Sequence, residues 1–142
     1  MSYAPASGEG VPMPRLFTVQ EANALIPSLT VVLKDLIAKR KQVQVRRREL
    51  ATLEVKSRSN GRESVAAVVD ARQALDDLLT EMNEQIDHIA DLGCELKDLA
   101  NGQVDFPSWR DGRQVCLCWR LGEERIAFWH EPGVGFSRRR PL

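Results

Sequence analysis

The sequence predicts an α+β fold, a long antiparallel helical hairpin followed by a small four-stranded antiparallel β-meander. Two observations carry this. Apolar residues recur at a seven-residue spacing in two runs separated by one turn signal, SRSNGR at 57–62. From Cys94 onward the pattern changes to short alternating segments punctuated by Asn101-Gly102, Asp111-Gly112 and Gly122.

The elements follow in order. Residues 1–15, MSYAPASGEGVPMPR, hold Gly and Pro but no apolar signal core, and are read as a flexible arm. LFTVQEANALIP then opens a helix: Thr18 caps it and Glu21 completes a capping box. Pro27 is expected to end a short helix or kink a long one, because it lacks an N–H and crowds the preceding turn. Beyond it Leu29, Leu36, Val43 and Leu50 form a heptad stripe with Val32 and Leu53. Lys39 and Arg46 interrupt the companion position. The second run holds Val68, Leu75, Met82 and Ile89, with Ala71, Leu78 and Leu92 as companions and Gln85 as the polar exception; Gly93 is placed to end it. A short connection makes the two helices antiparallel. Residues 16–142 are read as one domain: hairpin about 16–93, meander about 94–131, tail 132–142.

Charge is balanced overall, 20 basic against 20 acidic residues, but split between the helices. Val31 to Arg58 carries nine basic and three acidic residues, a formal +6; Arg62 to Gly93 carries two and eight, a formal −6. Such flanks select register and partner more than they stabilise, since exposed pairs contribute about 0–1 kcal/mol each. A two-helix hairpin cannot bury its stripe fully, so a homodimer completing a four-helix, coiled-coil-like bundle is expected. The zero net charge argues against nucleic acid as partner, although Arg46, Arg47 and Arg48 form a basic stripe on the first helix. No apolar run approaches the roughly 20 residues of a membrane span. Three cysteines, an odd count without secretory context, suggest reduced thiols and a cytoplasmic protein.

Strand parity organises the last third of the chain. A two-residue turn at Asp111-Gly112 pairs Phe106 with Leu117 and Val104 with Trp119. A two-residue turn near Gly122–Glu124 adds Ile126, Phe128 and His130 to that apolar face. Asp105, Cys116, Cys118, Arg120, Trp129 and Glu131 then fall on the other face. The first hairpin has two registers. A two-residue turn sets Asp98 opposite Asp105, where two carboxylates repel unless they share a metal or a proton. A three-residue loop over 100–102 sets Asp105 opposite Lys97 and brings Leu96 onto the apolar face. It buries more apolar surface and is preferred.

Among candidate site residues His130 ranks first, with Trp119, Arg120 and Glu131 as the ligand-binding set around it. Cys116 and Cys118 with Cys94 and His130 lack the spacing of zinc ligands, and the expected parity separates His130 from both strand cysteines. Asp98 and His130, on the first and fourth strands, lie three strand spacings or roughly 14 Å apart. No metal, cofactor or catalytic residue is therefore assigned. The motifs GxGxxG, P-loop, GxSxG and HExxH do not occur, which argues against those enzyme types alone.

Three stretches, LFTVQEANALIP, LGCELKDLANGQVDFP and LCWRLGEERIAFWHEPGVGFSRRRPL, resemble a bacterial family known as domain of unknown function 2203. The likeness runs from Leu16 to the end, the middle of the hairpin matching in character only. Residues matching the end motif are Cys118, Trp119, Arg120, Gly122, Glu123, Trp129, His130, Glu131, Gly135, Phe136, Arg139 and Pro141; Cys116 departs from the family's usual aliphatic residue. The resemblance implies a shared fold and brings no reaction, cofactor or catalytic residue.

The leading functional expectation is a non-enzymatic interaction or scaffold protein that self-associates as a homodimer through the helices, with a protein partner as a separate expectation. The alternative is a small-ligand or metal-binding module, hydrolytic if it is catalytic, centred on His130. A third is nucleic-acid binding through Arg46–Arg48 and Arg138–Arg140.

Overall fold

The computed structural model describes residues 15–142; the arm expected over 1–15 lies outside the described residues except for Arg15. Helix α1 spans Val19–Asn60 and α2 spans Arg62–Asp91. The expected capping box is present: Thr18 Oγ1 accepts from the Glu21 amide at 3.0 Å, and the Thr18 amide donates to Glu21 Oε1 at 2.9 Å. Pro27 neither ends nor divides α1. Its ring is exposed, while Leu29, Leu33 and Leu36 just beyond it are fully buried and hold the helix to the core. The turn is tighter than 57–62: only Gly61 separates the helices, at φ +83°, a conformation open to glycine.

Leu29, Leu36 and Val43 on α1 and Val68, Leu75, Leu78, Met82 and Ile89 on α2 are buried as their spacing requires. Leu33 is a buried position the heptad did not mark. Two of the three polar interruptions, Lys39 and Gln85, meet each other. Lys39 Nζ donates to Gln85 Oε1 at 3.0 Å and pairs with Asp35 at 3.0 Å and Glu81 at 3.5 Å; Gln85 Nε2 donates to Asp35 at 2.7 Å.

The sheet has five strands, not four, in sequential antiparallel order: β1 Glu95–Asp98, β2 Gln103–Arg110, β3 Arg113–Arg120, β4 Phe128–His130 and β5 Arg140–Pro141. β5 belongs to the segment expected as tail. It pairs Phe128 with Pro141 and Trp129 with Arg140, so the chain end closes the edge that β4 would expose. The β2–β3 register is the expected one, Phe106 opposite Leu117 and Val104 opposite Trp119. Its turn has both Asp111 (φ +52°) and Gly112 (φ +79°) in the left-handed region that a two-residue hairpin needs.

One face of the sheet lies on the helices. Val104, Phe106, Val115, Leu117, Trp119 and Trp129 form a continuous buried cluster with Phe17, Ala22, Leu29, Leu33, Leu36 and Ile89. The start of α1 is tied to this face. Phe17 donates its amide to the Pro107 carbonyl at 2.7 Å and stacks edge-on against Phe106, and Asn23 Oδ1 accepts the Ile126 amide at 2.7 Å. No helix among the described residues is long and apolar enough to cross a membrane.

Candidate functional site

The outer face of the sheet carries the candidate site, because two hairpins differ from their expected registers. Between β3 and β4 the loop is longer than two residues. Cys116 pairs with His130, Leu117 with Trp129 and Cys118 with Phe128. Trp129 therefore joins the helix-facing side, and His130 moves to the face that holds Asp105, Cys116 and Cys118. The longer loop is built by Glu123. Its carbonyl accepts Trp119 Nε1 at 2.9 Å, its carboxylate accepts the Arg120 amide at 2.9 Å and pairs with Arg139 at 2.8 Å. At the first hairpin neither expected register occurs. Asp105 lies opposite Glu95, Leu96 opposite Val104, and a bulge at Lys97 precedes the pair of Asp98 with Gln103. Leu96 still reaches the apolar side. Asp98 instead accepts from the Asn101 amide at 3.3 Å and side chain at 2.8 Å, which lowers its pKa.

His130 and Asp105 form a buried pair, 2% and 3% exposed. His130 Nε2 lies 3.0 Å from Asp105 Oδ2, and Nδ1 lies 2.8 Å from the Glu131 carbonyl. A carbonyl only accepts, so Nδ1 carries a hydrogen and Nε2 faces the carboxylate. The other carboxylate oxygen, Asp105 Oδ1, is buried without a hydrogen-bond partner. Burial raises the Asp105 pKa, and His130 and Lys97 oppose that rise. Cys116 is half-buried on the neighbouring strand. Its sulfur, an Asp105 oxygen and a His130 ring nitrogen all lie within 4.8 Å of one another. Burial, then the Asp105 charge, push the Cys116 thiol up to about 11.

Asp105 and Cys116, but not His130, line the floor of a cleft of about 500 Å³. Glu95, Lys97 and Gln103 line it from β1 and β2, and residues 132–135 line it from the C-terminal segment. That segment continues into a 3-10 turn at Phe136–Arg138 and is clamped by Arg139. The guanidinium lies 4.0 Å from the Phe128 ring centroid and 3.9 Å from that of Phe136. Lys97 Nζ pairs with Glu95 at 2.9 Å.

The residues singled out in the sequence separate accordingly. His130 is central. Trp119 is fully buried on the helix-facing side and takes no part. Arg120 is exposed, with its guanidinium 5.7 Å from the Phe136 ring centroid. Glu131 contributes its carbonyl only; its carboxylate pairs with Arg113 at 2.6 Å, not with Arg120. Arg46, Arg47 and Arg48 are exposed on α1 and do not line the cleft. Asp105 and Cys116, the partners of His130, were missed. The signal that marks them is strand parity, and it depends on a loop length that glycine positions alone do not fix.

Residues 15–142 match the family described as "Uncharacterized conserved protein (DUF2203)", and the chain belongs to that family. No curated protein and no solved structure matches it.

Proposed function

We propose that this member of the DUF2203 family is a small ligand-binding module whose site is the cleft lined by Asp105 and Cys116, with His130 bonded to Asp105 behind them, and that its occupant is a cation. The supporting observation is Asp105 itself: a carboxylate 3% exposed, with one oxygen on His130 and the other without a partner, at the floor of a cleft. A buried charged oxygen without a partner costs roughly 1–3 kcal/mol or more, which a cation in the cleft would offset. Binding fits better than nucleophilic catalysis. An attacking cysteine needs a lowered pKa, and that of Cys116 is raised. The test is thermal melting of the chelator-treated full chain with Zn²⁺, Mn²⁺ and Mg²⁺. At a hundredfold excess over Kd, binding adds about 2.7 kcal/mol, a rise of roughly 10 °C. Asp105→Asn abolishes that rise. Unchanged melting with all three ions, together with no metal by elemental analysis, overturns the reading.

A second reading, self-association through the helices, is favoured by a separate observation. Val31, Val45 and Val55 on α1 and Val65 and Val69 on α2 are each more than half exposed. The last three flank the Gly61 turn, at the end of the hairpin remote from the sheet. Antiparallel pairing of two copies would cover such valines and set the basic α1 of each against the acidic α2 of the other. Sedimentation of the full chain as a monomer at micromolar concentration removes this reading.

A further inference from the structure

We propose that Asp105, Cys116 and His130 are three protein ligands of a zinc-class transition metal whose fourth position opens into the cleft beneath residues 132–135. The proposal rests on the cation reading above and deepens it by naming the metal class and the third ligand.

Geometry is the first support. Three donors of different chemistry, a carboxylate oxygen, a sulfur and an imidazole nitrogen, converge within 4.8 Å from β2, β3 and β4. Tetrahedral zinc bonds of about 2.0–2.3 Å place such donors about 3.3–3.7 Å apart. The 3.0 Å separation of Nε2 and Oδ2 is close to that already. An ion entering between them needs the carboxylate and imidazole to part by only a few tenths of an ångström.

The orientation of His130 is the second. A metal-bound histidine typically gives its remaining ring N–H to a carbonyl or carboxylate, which fixes the ring and its tautomer. Here Nδ1 is held 2.8 Å from the Glu131 carbonyl, leaving Nε2 as the donor that faces Asp105 and Cys116. The orphaned Asp105 Oδ1 is the third, since a carboxylate that binds the ion through both oxygens would give Oδ1 the partner it lacks.

Ligand chemistry sets the class. Thiolate with imidazole selects zinc, cobalt or ferrous iron over magnesium and calcium, which take oxygen donors. On binding, the S–H bond of Cys116 breaks and the proton held between His130 Nε2 and Asp105 Oδ2 is released; the sulfur, nitrogen and oxygen bond the metal, and both protons leave to water. Three protein ligands are the pattern of sites that keep an open position. Glu95, opposite Asp105 on β1, is drawn aside by Lys97 at 2.9 Å.

The experiment is titration of the chelator-treated full chain with Co²⁺, read by absorption. One equivalent is expected to bind, with intense tetrahedral visible bands and a near-ultraviolet sulfur-to-cobalt charge-transfer band, and Zn²⁺ displaces it. Cys116→Ser, at a position only partly buried, removes the charge-transfer band and weakens binding by at least about 10–100-fold. Cys118→Ala, on the same strand, keeps both. Binding without the charge-transfer band, still abolished by Asp105→Asn, overturns the three-ligand site while leaving the cation reading standing. No Co²⁺ binding at all overturns the transition-metal site and leaves the cation reading to the melting test with Zn²⁺, Mn²⁺ and Mg²⁺, and a band that survives Cys116→Ser overturns the assignment of the sulfur.

Discussion

His130 Nε2 lies 3.0 Å from Asp105 Oδ2, and the opposite ring nitrogen gives its hydrogen to the Glu131 carbonyl. The contact therefore needs one proton between two groups that are both sealed from water. Such a pair is a poor stabiliser, because desolvation of the charges rivals their attraction.

Asp105→Asn is accordingly expected to stabilise the metal-free protein at neutral pH while abolishing cation binding. The amide can donate to Nε2 and carries no charge. Burial raises the Asp105 pKa, so the folded state keeps a proton that the unfolded state has released. Stability contributed by this group then falls as pH rises from about 4 through its folded value. The variant lacks that fall. Urea midpoints are expected to favour it by about 1 kcal/mol at pH 8, with the difference closing toward pH 4. A variant less stable than the parent at pH 8 would mean the pair stabilises the fold outright.

The thiols offer a second check. Burial pushes Cys94 and Cys116 up to about 11 and Cys118 up to about 12. At pH 8 iodoacetamide is expected to modify all three about 100-fold or more slowly than a free cysteine. Cys116 should react first, being half-buried where the other two are buried. Peptide mass spectrometry reads the order, and rapid modification of Cys94 or Cys118 would contradict their burial. Saturating Zn²⁺ should protect Cys116 alone.

The helices and one hairpin were legible in the sequence for physical reasons. Thr18 and Glu21 supply both halves of a reciprocal cap, and Asp111-Gly112 is among the few dipeptides that accept left-handed backbone at both positions, so the β2–β3 register followed. The site was not legible, because its face depends on whether a loop is odd or even in length. Gly122 marks a turn but not its size. The size is fixed by Glu123, which binds Trp119, Arg120 and Arg139 at once, a tertiary arrangement with no local signature. One residue of parity exchanged Trp129 for His130 and turned a core histidine into the partner of Asp105 and Cys116. β5 was missed for a related reason. Arg140–Pro141 has no strand pattern of its own and takes its conformation from pairing with β4.

Lys39 and Gln85 give a third prediction. They interrupt the heptads of α1 and α2 at the same level and bond each other at 3.0 Å, with Asp35 and Glu81 closing the network. A matched polar pair inside an apolar seam sets register at a cost in stability. Replacing both, Lys39→Leu with Gln85→Leu, is expected to raise the melting temperature by about 3–8 °C. Gln85→Leu alone should raise it less or lower it, since Lys39 then loses its neutral acceptor. Melting followed by circular dichroism decides, and a double variant that melts below the parent would show the network to be stabilising in its own right.

The capping box gives the fourth, and it reaches the sheet. Thr18 and Glu21 fix the first turn of α1 immediately after Phe17, whose amide donates to the Pro107 carbonyl on β2 and whose carbonyl accepts Ser108 Oγ at 2.5 Å. Thr18→Ala leaves the Glu21 amide without its acceptor and is expected to cost about 1 kcal/mol. Glu21 acts with a definite pH sign. The hydrogen bond from the Thr18 amide lowers its pKa below 4.5, so the folded state loses the proton more readily than the unfolded state. Its stabilisation is present above the unfolded value and is lost as pH falls through the folded one. Glu21→Gln should therefore unfold at lower urea than the parent at pH 7 and at nearly the same urea at pH 3. A difference that persists unchanged at pH 3 would mean the carboxylate charge has no part in the cap. Exchange of the Phe17 amide provides the spatial readout. Because that amide is held by Pro107 directly beside the cap, Thr18→Ala should speed its exchange while leaving the amides of β3 at the parent rate.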